Sequence, residues 1–141
     1  DVGLLTYKYF NGNQIEILNG DSKLNYGAIY EAVTAQELKA HGFELYYNTD
    51  KKRGEIDFLI ESNNKVIPIE VKSGKDYKRH SALTQLMNNK EFNYEFGYVL
   101  YNGNLEVSNS IIYLPIYMVM FLQNLRDNNP KIINLDISKL I

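Results

Sequence analysis

An aspartate, a glutamate and a lysine sit on two short apolar runs in the middle of the chain. Asp57 lies in Gly54-Glu55-Ile56-Asp57-Phe58-Leu59-Ile60, and Glu70 and Lys72 lie in Val66-Ile67-Pro68-Ile69-Glu70-Val71-Lys72. Two carboxylates and an ammonium in one place suit a divalent cation and a nucleophilic water. Magnesium takes oxygen ligands and usually needs only one or two carboxylates, because water and substrate phosphate complete its octahedron. Such an ion eases the deprotonation of water and offsets the charge that builds on a phosphodiester. A lysine beside it can orient the attacking water or stabilise a pentavalent phosphorus. Histidine and cysteine ligands are not required; the sequence has no Cys and only His41 and His80.

For this chemistry the three residues must share a surface. Apolar residues alternate in both runs, so each reads as a strand. Ile56, Phe58 and Ile60 are expected on one face of the first, with Asp57 on the other. Ile67, Ile69 and Val71 share one face of the second, leaving Glu70 and Lys72 together opposite. The polar link Glu61-Ser62-Asn63-Asn64-Lys65 makes the two runs hairpin partners. Glu-x-Lys on a strand also has a plainer reading, a cross-strand ion pair worth a few tenths of a kcal/mol.

Around this pair the sequence predicts an extended N-terminal stretch with a turn at Asn11-Gly12-Asn13. Asp21-Ser22-Lys23-Leu24-Asn25 then leads into a helix from Tyr26 to Ala40, ended by Gly42. Strands are expected near Phe43–Asn48, Glu55–Glu61 and Val66–Lys72, a second helix at Arg79–Asn89, and a strand at Tyr94–Tyr101. Asn102-Gly103-Asn104 reads as a hairpin turn before a further strand. The run Ile111–Leu122 reads as a strand end followed by a buried helix with Pro115 near its first turn. Tyr113 and Tyr117 belong with that C-terminal core. The fold class is α/β: a mixed central sheet flanked by helices in the order α-β-β-β-α-β, plus a C-terminal helix.

The pattern Asp57 … Glu70-Val71-Lys72 resembles the signature of the PD-(D/E)XK nuclease-like superfamily. Gly27-Ala28-Ile29-Tyr30-Glu31, Ala35-Gln36-Glu37-Leu38, Val71-Lys72-Ser73-Gly74-Lys75 and Tyr77-Lys78-Arg79-His80-Ser81-Ala82-Leu83 are similar to one branch of it. That branch is the uncharacterised domain at the C-terminus of many bacterial and archaeal P-loop (AAA-type) ATPases. The resemblance runs from residue 1 to about 122 and implies a restriction-endonuclease-like core. It also implies magnesium or manganese held by Asp57 and Glu70, with Lys72 catalytic. An acidic residue from the first helix joins them: Glu31 matches the position after Gly-x-x-Tyr, with Glu37 as competitor. Gln85, in the second helix, is where some relatives reach the site with a polar side chain. With no initiator Met and no Walker motif, the chain reads as a single domain cut from a longer ATPase, with residues 123–141 as a tail or docking extension.

Composition sets the outer bounds. At 141 residues and 45% hydrophobic content, one domain with a real core is expected. The absence of Cys fits a reducing cytoplasm. A net charge of −2 is not the footprint of a strong polyanion binder. The basic residues are nevertheless concentrated. Lys51-Lys52-Arg53 precede the Asp57 strand, and Lys72, Lys75, Lys78 and Arg79 follow Glu70. Phosphate-bearing partners are thus expected locally, with Lys75, Lys78, Arg79 and Gln85 as contacts; a solubilising loop is the competing explanation. Tyr77 and His80 are read either as phosphate or base contacts or as fixing the loop after Gly74, and His80 as structural rather than a general base. The expected function is a metal-dependent nuclease acting on nucleic acid, DNA before RNA. The alternative is a catalytically silent module docking the ATPase to a partner or nucleic acid. No membrane partner is expected.

Overall fold

Apolar residues at every second position build the middle of the chain into strands, and longer periodic stretches form the helices around them. The computed structural model describes residues 1–10, 15, 18–19, 26–50, 54–89 and 91–124. In order these form α1 (Val2–Phe10), α2 (Gly27–Ala40), β1 (Tyr46–Asp50), β2 (Gly54–Ser62), β3 (Lys65–Lys72), α3 (Ser81–Met87), β4 (Gly97–Tyr101), β5 (Glu106–Ser108), β6 (Ile111–Pro115) and a 3₁₀ helix (Ile116–Phe121). The strands make one six-stranded sheet in the order β1-β2-β3-β4-β6-β5. Pairs β3–β4 and β4–β6 are parallel and the others antiparallel. The expected α-β-β-β-α-β order and mixed sheet are therefore present.

Local chemistry explains the connections. Asn63 and Asn64 have φ of 50° and 59°, and Ser62 pairs with Lys65 across them. A two-residue turn with positive φ at both positions matches the twist of the flanking strands, and Asn tolerates it. Helix α2 stops where Gly42 takes φ +80°, with His41 N–H bonded to the Glu37 carbonyl. The parallel step from β3 to β4 needs a crossover, which α3 supplies. Gly97 lets that helix approach closely: a Cβ there would lie 3.1 Å from Leu83 Cδ1 and 3.2 Å from Pro68 Cγ.

Both faces of the sheet are covered. Leu38, Phe43, Ile60, Ile67, Ile69, Val71, Leu100 and Leu114 form one apolar cluster beneath α2 and the 3₁₀ helix. Ile56, Leu83, Leu86, Val99, Tyr101 and Tyr113 form a second beneath α3.

Some sequence expectations are corrected. The N-terminal stretch is helical, not extended. Asp1 Oδ1 accepts the Leu4 N–H at 3.0 Å as a cap, and buried Phe10 lies against the Tyr26 ring. Asn102-Gly103-Asn104 is not a hairpin turn, because β6, not β5, lies beside β4. The hairpin comes one turn later, through Asn109 at φ 52°, and joins β5 to β6. The reason is composition: Ile111–Pro115 is apolar throughout and suits a central strand, whereas Glu106-Val107-Ser108 suits an edge. Ile56 does not share a face with Phe58 and Ile60. Tyr46 pairs with Leu59 but Asn48 with Ile56, so β2 carries an extra residue there, and this bulge turns Ile56 into the second cluster. The C-terminal helix is a short 3₁₀ element with only Val119 buried, and Tyr117 is exposed rather than part of the core. The Asn11-Gly12-Asn13 turn, the 21–25 lead-in, Lys51-Lys52-Arg53 and the tail beyond Asn124 lie outside the described residues.

Candidate functional site

The site begins where β2 and β3 part. Their backbone pairing ends at Phe58–Ile69. Just beyond, next to the bulge, a side chain takes over: Val71 N–H donates to Asp57 Oδ2 at 2.7 Å. On the same strand, Lys72 Nζ donates to Glu70 Oε1 at 2.6 Å, as two residues on one side of a strand can. Glu70 sits in the interior of the sheet, paired with Val99 of β4, and is only 6% exposed. Its second oxygen, Oε2, is buried and has no hydrogen-bond partner among the described residues. Buried carboxylate oxygens are normally satisfied, so an orphan of this kind calls for an explanation.

Electrostatics tie the predicted acidic residues together. Burial pushes the Glu70 carboxyl up; its bond to Lys72 opposes this, and the charges of Asp57 and Glu31 add to the rise. Asp57 is also raised by burial, against the Val71 N–H and Lys72, which pull it down. Glu31, exposed on α2, is raised by desolvation and then by Asp57 and Glu55, with Lys72 opposing. Asp57, Glu70, Lys72 and Glu31 thus share one electrostatic neighbourhood, in which Glu37 has no part. Glu55 does take part and was not singled out from sequence. Its one signal is its position two residues before Asp57.

Among the described residues, no three His, Cys, Asp or Glu side chains are gathered closely enough to hold a metal ion. Glu31 stands at the rim, and Asp57 and Glu70 form the inner pair. That pair, with an unpartnered buried oxygen and carboxyls raised by burial, fits a hard cation that keeps most of its ligands as water and substrate.

Beside the pair runs an open groove of about 800 Å³, lined by Lys72, Asp76, Lys78, Arg79, Thr84 and Gln85 among others. Lys78, Arg79 and Gln85 thus meet along one surface with Lys72; Lys75 is exposed and does not line it. Lys78 is bonded to Glu106 Oε1 at 2.7 Å and lies over the rings of Tyr77 and Tyr113. Tyr77 stacks on Tyr101 with centroids 4.2 Å apart. His80 is buried, hydrogen-bonded to Tyr113 and Thr84, and its pKa is lowered by burial. A second cleft, of about 420 Å³, opens beside the first apolar cluster between Phe43, Ile60, Ile67, Phe96 and Tyr98, and no carboxylate lines it.

The architecture is a mixed α/β domain with an acid–lysine site at the head of a basic groove. Residues 26–119 match DUF4143, a domain of unknown function, and the chain belongs to that family. No curated protein and no solved structure matches it. Among the described residues no helix is long and apolar enough to cross a membrane.

Proposed function

We propose that this domain is a metal-dependent nuclease of the PD-(D/E)XK type, hydrolysing phosphodiester bonds of nucleic acid, DNA before RNA. Asp57 and Glu70 would hold magnesium or manganese, with Glu31 reaching in from the rim. The observation that carries the reading is the double membership of Lys72, which is bonded to Glu70 at 2.6 Å and also lines the groove.

An ammonium has three donors, so one can stay on Glu70 while the others face a phosphate. Lys72 would orient the attacking water or stabilise charge on the phosphoryl oxygens as it develops. The bound cation supplies Lewis acidity and compensates the two carboxylates. Arg79 and Gln85 would hold the strand along the groove, with Lys78 exchanging Glu106 for a phosphate. An ATPase module elsewhere in the parent chain would be the partner.

The test is incubation with single- and double-stranded DNA and RNA, with magnesium or manganese, beside Glu70→Ala. Metal-dependent cutting that falls by at least about a hundredfold in the variant is expected. Cutting that survives in Glu70→Ala overturns the assignment. Binding without cutting by either protein would favour the silent docking module instead.

A further inference from the structure

We propose that His80 and Tyr113 are positioning residues for the basic groove: they fasten the first turn of α3 to β6 and so keep Arg79 and Gln85 beside Lys72. This rests on the nucleic-acid reading of the groove.

Helix α3 is seven residues long and its N-cap, His80, makes no side-chain capping bond. A helix this short has little stability of its own. Leu83 and Leu86 hold its apolar side in the second cluster. Its start is held differently. The Thr84 hydroxyl donates to the His80 carbonyl at 3.1 Å. With its one hydrogen engaged there, the Thr84 oxygen accepts from His80 Nδ1, 3.1 Å away, so Nδ1 carries the ring hydrogen. Nε2 is then the bare nitrogen, and it accepts the Tyr113 hydroxyl at 2.7 Å. Tyr113 is itself fixed in β6, edge-on to Tyr77 and Tyr101. The result is a continuous relay from the buried Tyr113 in the sheet through the buried imidazole to Thr84 in the first turn of the helix.

Every polar atom of the imidazole is used within the fold, which suits a strut rather than a proton carrier. Arg79 immediately precedes this strut, and Thr84 and Gln85 follow it by one turn; all three line the groove with Lys72. Lys72 belongs to β3, whereas the others belong to the segment carrying α3. Their relative placement therefore depends on how α3 is anchored to the sheet. Removing the Tyr113 hydroxyl leaves Nε2 buried without a donor and loosens this joint while keeping the ring in place.

The decisive measurement is the affinity of the full chain for a fluorescent single-stranded DNA oligonucleotide in EDTA, which separates binding from metal and cleavage. Tyr113→Phe is expected to bind about tenfold more weakly, with a shallower dependence on salt as phosphate contacts are lost. Tyr98→Phe, a hydroxyl deletion beside the first cluster, is expected to bind like the parent. Long-range proton–nitrogen NMR should find His80 protonated at Nδ1 in the parent and losing that single tautomer in Tyr113→Phe. If Tyr113→Phe does not fold, His80→Leu carries the same test, and His80→Gln, which keeps a donor and an acceptor, should restore part of the binding. A folded Tyr113→Phe with parental affinity overturns the positioning role alone. A parent protein that does not bind the oligonucleotide overturns the nucleic-acid reading and this inference with it.

Discussion

The two sides of β3 are hidden from water almost equally and could hardly differ more in chemistry. Ile69 is 0% exposed and Glu70, its neighbour, 6%. Ile67, Ile69 and Val71 enter an apolar cluster with Leu38, Phe43 and Leu100. Burying such side chains contributes about 1.5–3 kcal/mol each. On the other side, Glu70 keeps a buried oxygen without a partner, and its ionisation is opposed by burial. One side of the strand stabilises the domain, and the other side costs it stability. A cost maintained in the interior is what a site needs when its ligand supplies the missing compensation.

The contrast can be broken most directly by mutating each side. Ile69→Ala should destabilise the domain by about 2–5 kcal/mol in chemical denaturation, the range for a buried large-to-small change. Glu70→Gln should leave metal-free stability unchanged or higher. Equal losses from both variants would mean that Glu70 is an ordinary structural member.

Adding the missing compensation should sharpen the contrast. Magnesium at ten times its dissociation constant should stabilise the parent by about 1.4 kcal/mol. Thermal unfolding at pH 8 would show this as a raised midpoint, with no such rise for Glu70→Gln. Absence of a magnesium effect on the parent would remove the cation from the account.

The pH dependence has a definite sign. Asp57, Glu70 and Glu31 are all raised in the folded protein. The folded state therefore holds their protons more tightly than the unfolded chain, and stability from this source is complete below the ordinary carboxylate range near pH 4. It is lost as pH climbs through the raised values. Asp57→Asn still offers Val71 N–H an acceptor but cannot ionise. At pH 7 it should unfold at a higher denaturant midpoint than the parent, an advantage that shrinks on acidification. A constant difference across pH would refute the electrostatic cause.

The smallest effect concerns the groove. Glu106, 2.7 Å from Lys78, is what a phosphate in the proposed groove would have to displace. Glu106→Gln should leave stability almost untouched and tighten oligonucleotide binding roughly twofold to threefold, as expected for an exposed pair. Weaker binding would show that the pair orders the groove instead of competing with ligand.

Much of the frame was legible from local pattern. Alternation marked β2 and β3, the polar link with Asn63-Asn64 marked their turn, and Gly42 marked the end of α2. Most of the misses trace to partners distant along the chain. Asn102-Gly103-Asn104 is a good turn sequence, but β6 competes for the place beside β4 and wins through its apolar length. The N-terminal helix is secured by the Asp1 cap and by packing against Tyr26. Glu55 acts on Glu31 only because the fold brings α2 beside β2.

What the sequence determined by itself is that Glu70 and Lys72 share a side of one strand, with Ile69 and Val71 on the other. That follows from the two-residue period of an extended chain, which needs no neighbours. Tertiary structure alone decided that a bulge against β1 lets the Asp57 carboxylate reach Val71, that Glu70 loses its water, and that Lys72 meets Arg79 and Gln85 along one groove. Desolvation and convergence are properties of what surrounds a residue, and those surroundings come from β4, β6 and α3, well beyond the reach of any local pattern.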